Sequence, residues 1–306
     1  MPNLDIVIPS FNSGAVLRQT LESVIRQEFC DGWIVNVVIV DDASTDDSIS
    51  SLPASIKDKV QISRLHINQG RAAARNHGAN IGNSEYILFM DSDCTVASHN
   101  SFQLLANLLG SDCDLAYGRV MSRGTGFWVR YFNAVSNKRD QLGRNQDLSG
   151  FSSPYFGVSR QMFNRSGGFN KDYLKYGFED RDLILRINSA GGIIRYVSDS
   201  VVYHDEIDSF NTIALKFEEA GQYSSVVFEQ SHPDVYRKML YGRIDSRLHP
   251  YLLKPIAAVS YPAKNYIYQF CDAMINANHV PFSAKSYLVK AASALAYCIG
   301  TSRMDE

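Results

Sequence analysis

Apolar runs that each end in polar or glycine-rich residues mark out the first hundred positions. Leu4 to Ile8 stops at Pro9-Ser10-Phe11-Asn12-Ser13-Gly14, and Val16, Leu17, Leu21, Val24 and Ile25 then recur at helical spacing. This predicts strand, loop and helix. Ile34 to Val40 is a second strand rich in β-branched residues, running into Asp41-Asp42-Ala43-Ser44-Thr45-Asp46-Asp47. A helix is expected next, capped by Ser44 or Thr45. Val60 to Leu65 is a third strand, and His66 to Gly70 is its turn. From Arg71 to Asn80 a helix is expected, its alanines outweighing Gly78. Tyr86 to Met90 is a fourth strand, and it delivers Asp91-Ser92-Asp93.

Further along, Asn100 to Leu109 has helical spacing, and Asp114 to Val120 reads as a strand nearer the sheet edge. Phe127 to Gly150 interleaves aromatic residues with Arg130, Lys138, Arg139 and Arg144 without a clear period. It reads as an irregular solvated loop, with a mobile flap over a bound ligand as the alternative. Ser152 to Phe163 is strand then helix, broken by Gly167-Gly168; a helix starts at Glu179, and Val197 to Val202 is a strand before Tyr203-His204-Asp205. Ile213 to Phe228 is an amphipathic helix, after which five prolines punctuate the chain. Continuously apolar strands alternating with helices predict an α/β fold, with a mostly parallel sheet covered on both faces and a mainly helical C-terminal extension.

Composition narrows the function classes. The 306 residues are 45% hydrophobic and 20% charged, ordinary for a globular protein. A net charge of -2 gives no argument for nucleic-acid binding. The five cysteines form no C-x-x-C pair, which points to a reducing, cytoplasmic setting and away from zinc. No signal peptide is read at the start, and no run of about 18 apolar residues predicts a membrane span.

In parallel sheets, ligands bind beyond the carboxyl ends of the strands. Pro9-Ser10, Asp41-Asp42, Gly70-Arg71 and Asp91 to Asp93 all lie at those ends, so four loops converge on one crevice. Carboxylates one residue apart can hold a hard divalent cation, and the cation can bridge phosphates. Alone, Asp91-Ser92-Asp93 reads equally as a turn, Asp41-Asp42 as a helix-capping turn, and Arg71 and Arg75 as a solvated helix face. Their joint placement favours a site. Glu179 and Asp180 fall in the first turn of a helix, whose dipole stabilises negative charge.

Taken in order, Val7-Ile8-Pro9-Ser10-Phe11-Asn12, Ser23-Val24-Ile25-Arg26-Gln27, Val40-Asp41-Asp42-Ala43-Ser44-Thr45-Asp46, Asn68-Gln69-Gly70-Arg71-Ala72-Ala73-Ala74-Arg75-Asn76 and Phe89-Met90-Asp91-Ser92-Asp93 form one set. It resembles the inverting nucleotide-sugar glycosyltransferases of family 2, with the Rossmann-like GT-A fold. The resemblance implies a donor site of Pro9, Ser10, Asp41, Asp42, Gly70, Arg71, Arg75, Asp91 and Ser92, in which Asp41 or Asp42 reads the base. It implies Mn2+ or Mg2+ at Asp91, Asp93 and His204, and Glu179 and Asp180 on the acceptor side with Asp180 as general base. The catalytic domain is expected over residues 1–210, with 1–98 for the donor and 99–210 for the acceptor, and the extension over 211–306. A carboxylate can accept the ring N–H of uracil or of guanine. Uridine is the default because it is the commoner nucleoside in the family. The acceptor is expected to be a saccharide or lipid-linked saccharide of bacterial-type surface polysaccharide or glycoconjugate synthesis. No Gln-x-x-Arg-Trp motif is found, which favours addition of one sugar over polymerisation.

Competing readings are weaker. A sugar nucleotidyltransferase would carry a Gly-rich, basic loop where Pro9-Ser10-Phe11-Asn12 stands, and a dinucleotide oxidoreductase would carry G-x-G-x-x-G. A non-catalytic saccharide-binding or scaffold protein would not need Asp91, Asp93, Asp180 and His204 together. From Ser231 to Lys290, eight Lys or Arg stand against three Asp. With Tyr251-Leu252-Leu253 and Tyr266-Ile267-Tyr268, this reads either as a surface on an anionic membrane or as helices that dock on the catalytic domain or form a homodimer.

Overall fold

The computed structural model describes residues 1–29, 32–204 and 209–303, so Asp205 lies outside the described residues. The elements begin with β1 (Asn3–Ser10), α1 (Val16–Ile25), β2 (Ile34–Asp41), α2 (Ala54–Lys57), β3 (Gln61–Arg64), α3 (Arg71–Ile81), β4 (Tyr86–Met90), β5 (Cys94–Val96) and α4 (Ser101–Leu109). They continue with β6 (Leu115–Met121), α5 (Phe127–Arg144), β7 (Tyr155–Ser159), α6 (Arg160–Arg165), α7 (Glu179–Ser189) and β8 (Ile194–His204). The strands form one eight-stranded sheet in the order β3-β2-β1-β4-β7-β6-β8-β5. From β3 to β4 every pairing is parallel, as expected. Beyond β4 the sheet is mixed, because β7 runs antiparallel to both β4 and β6, and β5 runs antiparallel to β8. β6 and β8 pair in parallel, so four of the seven pairings are parallel and the expected mostly parallel sheet is found, with β7 and β5 as its antiparallel strands. β6 lies inside the sheet, between β7 and β8.

Alternation along β4 explains its unbroken apolar run. Tyr86, Leu88 and Met90 pack in one cluster with Leu17 and Leu21 of α1 and Phe102 and Leu105 of α4. Ile87 and Phe89 pack in another with Ala72 and Ala79 of α3 and Phe163 of α6. Both sheet faces are covered, so neither set of positions can be polar. Gly78 of α3 is explained by the same packing. A Cβ there would collide with Val7 of β1 and press on Val40 of β2, so only glycine lets the helix lie this close.

Two expected elements differ. No helix follows Asp42 directly; turns occupy the chain until the single-turn α2. Ser44 does not cap a helix, because its hydroxyl accepts the Asn12 amide instead. The segment from Phe127 is the 18-residue helix α5 and not a loop. Its period is obscured because the large apolar residues Phe127, Trp128 and Tyr131 crowd its first turns, whereas later only Ser136 and Gly143 are buried.

The later chain forms α8 (Phe210–Glu219), α9 (Ser225–Ser231), α10 (Pro233–Lys238), α11 (Leu240–Arg243), α12 (Pro250–Ser260), α13 (Lys264–Asn276) and α14 (Phe282–Ser302). A π-helical turn at Ala220–Ser224 joins α8 to α9 across the expected amphipathic helix. Among the described residues, no helix is long and apolar enough to cross a membrane. The chain divides into two compact units. The sheet unit comprises Met1–Gly124, Phe132–Lys171 and Leu183–Glu206; the helical unit comprises Thr125–Tyr131, Asp172–Asp182 and Ile207–Glu306.

Gly78→Ala is expected to lower stability by about 1–3 kcal/mol, the usual cost of overpacking a filled core. Urea unfolding measures this, and an unchanged midpoint would show that the α3 contact is loose.

Candidate active site

Within the sheet unit, strand register sets the site. Ser10 pairs with Asp41 at the carboxyl ends of β1 and β2. The β1–β4 register, continued past Val7 and Phe89, brings Asp91 level with Pro9. Hydroxyls then connect the loops: Ser10 Oγ lies 3.0 Å from Ser13 Oγ, which lies 2.8 Å from Ser92 Oγ. Asn12 adopts a left-handed backbone (φ 49°) and ties the first loop to the second. Its amide donates to Ser44 Oγ at 2.9 Å, and its Oδ1 accepts from the amides of Thr45 and Asp46 at 2.8 and 3.3 Å.

Asp41 and Asp42 are both buried and both held from within. Asp41 Oδ1 accepts the Ser44 amide at 2.9 Å, and Oδ2 lies 3.3 Å from Arg64 Nε. Asp42 takes the Gln69 and Gly70 amides, one on each oxygen, both at 2.8 Å. Gly70 (φ 83°, ψ 163°) then starts α3 from a conformation open to glycine alone. Asp42, one of the two carboxylates expected to read the base, thus fixes the turn that starts α3.

The acids after β4 separate into two roles. Asp91 Oδ1 receives Arg75 Nη2 at 2.6 Å. Arg75 is only 1% exposed, and its guanidinium stacks over Phe169 at 5.1 Å. Asn76 locks that phenylalanine in place through its backbone, at 2.7 and 2.9 Å. Asp91 and Arg75, both expected at the donor, form an ion pair that braces the edge. Asp93 is different. Its Oδ2 lies 3.2 Å from His204 Nε2, and both side chains are half-buried. The β5–β8 register makes this meeting, since Cys94 pairs with His204.

Donor atoms of Asp93, Cys94 and His204 all lie within 4.8 Å of one another. This group has Cys94 in place of the expected Asp91. The Cys94 side chain is itself part of the apolar core, so the carboxylate and imidazole are the accessible pair. That donor pair suits Mn2+. Burial raises the Asp93 pKa, but the His204 hydrogen bond and charge, with a smaller contribution from Arg71, outweigh it and hold the carboxyl below its ordinary range. Arg71 stands exposed at the start of α3.

In the helical unit, Glu179 is buried and Asp180 half-buried at the start of α7. Phe178 precedes them with a left-handed backbone (φ 69°) that is costly for a large side chain. Its ring is gripped by Phe228, Tyr236 and Tyr241, with centroids 5.0, 6.1 and 5.2 Å away. Asp182, one turn into the helix, meets His232 Nε2 at 2.9 Å. Sequence reasoning missed Phe178 and His232, because nothing local marks a partner fifty residues away in the chain.

The family model "Glycosyl transferase family 2" matches residues 5–167, more than half of the chain. The chain belongs to glycosyl transferase family 2. A model described as the N-terminal domain of galactosyltransferase also matches residues 133–213. Among curated relatives, a PGL/p-HBAD biosynthesis glycosyltransferase of Mycobacterium bovis is 30% identical over 221 residues, covering 70% of this chain and 82% of that one. The GalNAc(5)-diNAcBac-PP-undecaprenol beta-1,3-glucosyltransferase of Campylobacter jejuni is 24% identical over 184 residues, 58% of each chain. The chain spans 47% of the length of another curated relative, from Haemophilus influenzae. A solved structure, the mannosyltransferase PcManGT from Pyrobaculum calidifontis in complex with GDP-Man and Mn2+, has TM-score 0.62 at 16% identity, covering 100% of this chain and 88% of that one. That likeness supports the GT-A fold.

Asp91→Ala would leave the buried Arg75 cation without its carboxylate. A loss of about 3 kcal/mol is expected, near the lower end for breaking a buried pair because Asp91 is partly exposed. Calorimetric unfolding tests this, and a wild-type melting temperature would contradict the bracing role.

Proposed function

We propose that this family 2 protein is a metal-dependent, inverting glycosyltransferase. It adds a single sugar from a nucleotide-sugar, taken to be a UDP-sugar, to a hydroxyl of a saccharide or lipid-linked saccharide, in bacterial-type surface polysaccharide or glycoconjugate synthesis. The observation that carries this reading is the Asp93–His204 pair, in which Asp93 directly follows Ser92, the residue whose hydroxyl meets the Ser10–Ser13 loop. The lipid-linked acceptor is supported by the Campylobacter relative, named for a polyprenyl-diphosphate-linked saccharide.

Pro9, Ser10 and the Asp41-Asp42 turn receive the nucleoside, with an aspartate oxygen accepting the ring N–H of the base. Asp93 and His204 hold Mn2+, or Mg2+ in its place. When bound, the cation supplies Lewis-acid stabilisation of charge on the leaving diphosphate. Arg71 adds a positive charge on the same side. Asp180 takes the proton from the acceptor hydroxyl as that oxygen attacks the anomeric carbon from the face opposite the leaving group. Glu179 and the Phe178 clamp keep the Asp180 turn in place.

Asp180→Asn is expected to reduce kcat by about 10²–10⁴, the usual contribution of a general base, while leaving UDP binding unchanged. Full transfer by this variant would remove the base assignment. Chelation should abolish transfer and added Mn2+ should restore it. Assays with UDP- and GDP-sugars in parallel decide the nucleoside.

A further inference from the structure

We propose that the outward faces of α12 and α13 seat the protein on an anionic lipid bilayer. Both helices are already satisfied on one side. Leu253 and Ala257 of α12 pack on Leu295, Cys298 and Ile299 of α14. Tyr268, Cys271 and Ile275 of α13 pack with Phe210 of α8 and Val289 of α14. The opposite side of α12 carries Tyr251, Leu252, Pro255, Ile256 and Val259, a spacing that defines one helical face. Tyr251 is 99% and Val259 78% exposed, and the other three are exposed as well. On α13, Tyr266 (77% exposed) and Phe270 stand one turn apart and also face outward.

Charge selects the occupant. Of the three acids between Ser231 and Lys290, Asp245 is fully buried against Arg247 and the Tyr236 hydroxyl. Asp272 is engaged by the amides of Phe210 and Asn211. Only Asp234 among them is exposed, whereas Arg237, Lys238, Arg243, Lys254 and Lys290 are all exposed. In this stretch two of three acids are engaged by the fold while most of the cations stay exposed, and Lys254 stands on α12 beside the apolar face. An anionic bilayer complements both features: its headgroups attract the cations and its acyl boundary takes Leu, Ile and Val, with Tyr at the interface. A second copy would instead bring like charges together. The Glu179–Asp180 turn belongs to the same unit. Delivery of a lipid-linked acceptor to that turn rests on the proposed reaction, but binding to the bilayer does not.

Flotation of the full chain with vesicles tests the proposal. Wild type should float with phosphatidylcholine vesicles containing phosphatidylglycerol at low salt, and should be released by high salt or by omitting phosphatidylglycerol. The triple variant Leu252→Gln, Ile256→Gln, Val259→Gln should bind at least about tenfold more weakly with an unchanged melting temperature. The double variant Tyr266→Gln, Phe270→Gln on the other helix should weaken binding in the same direction, and it serves as the test if the triple variant does not fold. Three results would each overturn the proposal: no flotation of wild type, equal flotation of correctly folded variants, or a wild-type dimer that the triple variant dissociates. The last would assign the face to a second copy.

Discussion

Collecting carboxylates on one edge of a sheet is costly unless each is matched. The sheet edge that carries Asp41, Asp42, Asp91 and Asp93 is built around that constraint. Asp42 is matched by two loop amides, Asp91 by a buried guanidinium, Asp93 by an imidazole, and Asp41 by an amide and a nearby arginine. Apart from Ser44, the partners come from segments distant from their acids in the chain, so satisfying the acids also fixes the loops. The starting direction of α3 follows from the Asp42 contacts, and the burial of Arg75 follows from Asp91. An edge fixed in this way needs little rearrangement when a charged ligand arrives, which is the condition for electrostatic stabilisation to be effective.

The strands and the convergence of polar loops were legible because apolar runs and punctuating acids are local signals. So was the helix start at Glu179. The β7 insertion was not, because antiparallel pairing with β4 and β6 depends on chain reversal between distant segments. Helix α5 was missed because its large apolar residues crowd its first turns and only Val135 and Leu142 continue the pattern among charged and polar positions. At the site, sequence order alone could not separate Asp91 from Asp93. The pairing of Asp91 with Arg75 and of Asp93 with His204 depends on Arg75 burial and on the β5–β8 register. Cys94 and His232 carried no readable signal, since each matters only through a partner that the fold brings near.

The helical unit shows the same principle at the Glu179–Asp180 turn. Phe178 holds an unfavourable backbone conformation, and a ring of aromatic side chains from α9, α10 and α11 keeps it there. His232 secures the next turn through Asp182. The late helices therefore support the Glu179–Asp180 turn directly, and their outward faces remain available for a lipid surface.

The central claim is that the Asp93–His204 edge binds a nucleoside diphosphate through a divalent cation. Calorimetric titration of UDP into wild type and into His204→Ala, each with Mn2+ and with chelator, tests it most directly. Mn2+ should tighten UDP binding to wild type, and His204→Ala should lose at least about tenfold of that gain, roughly 1.4 kcal/mol. Equal Mn2+-dependent affinity in the two proteins would contradict the claim.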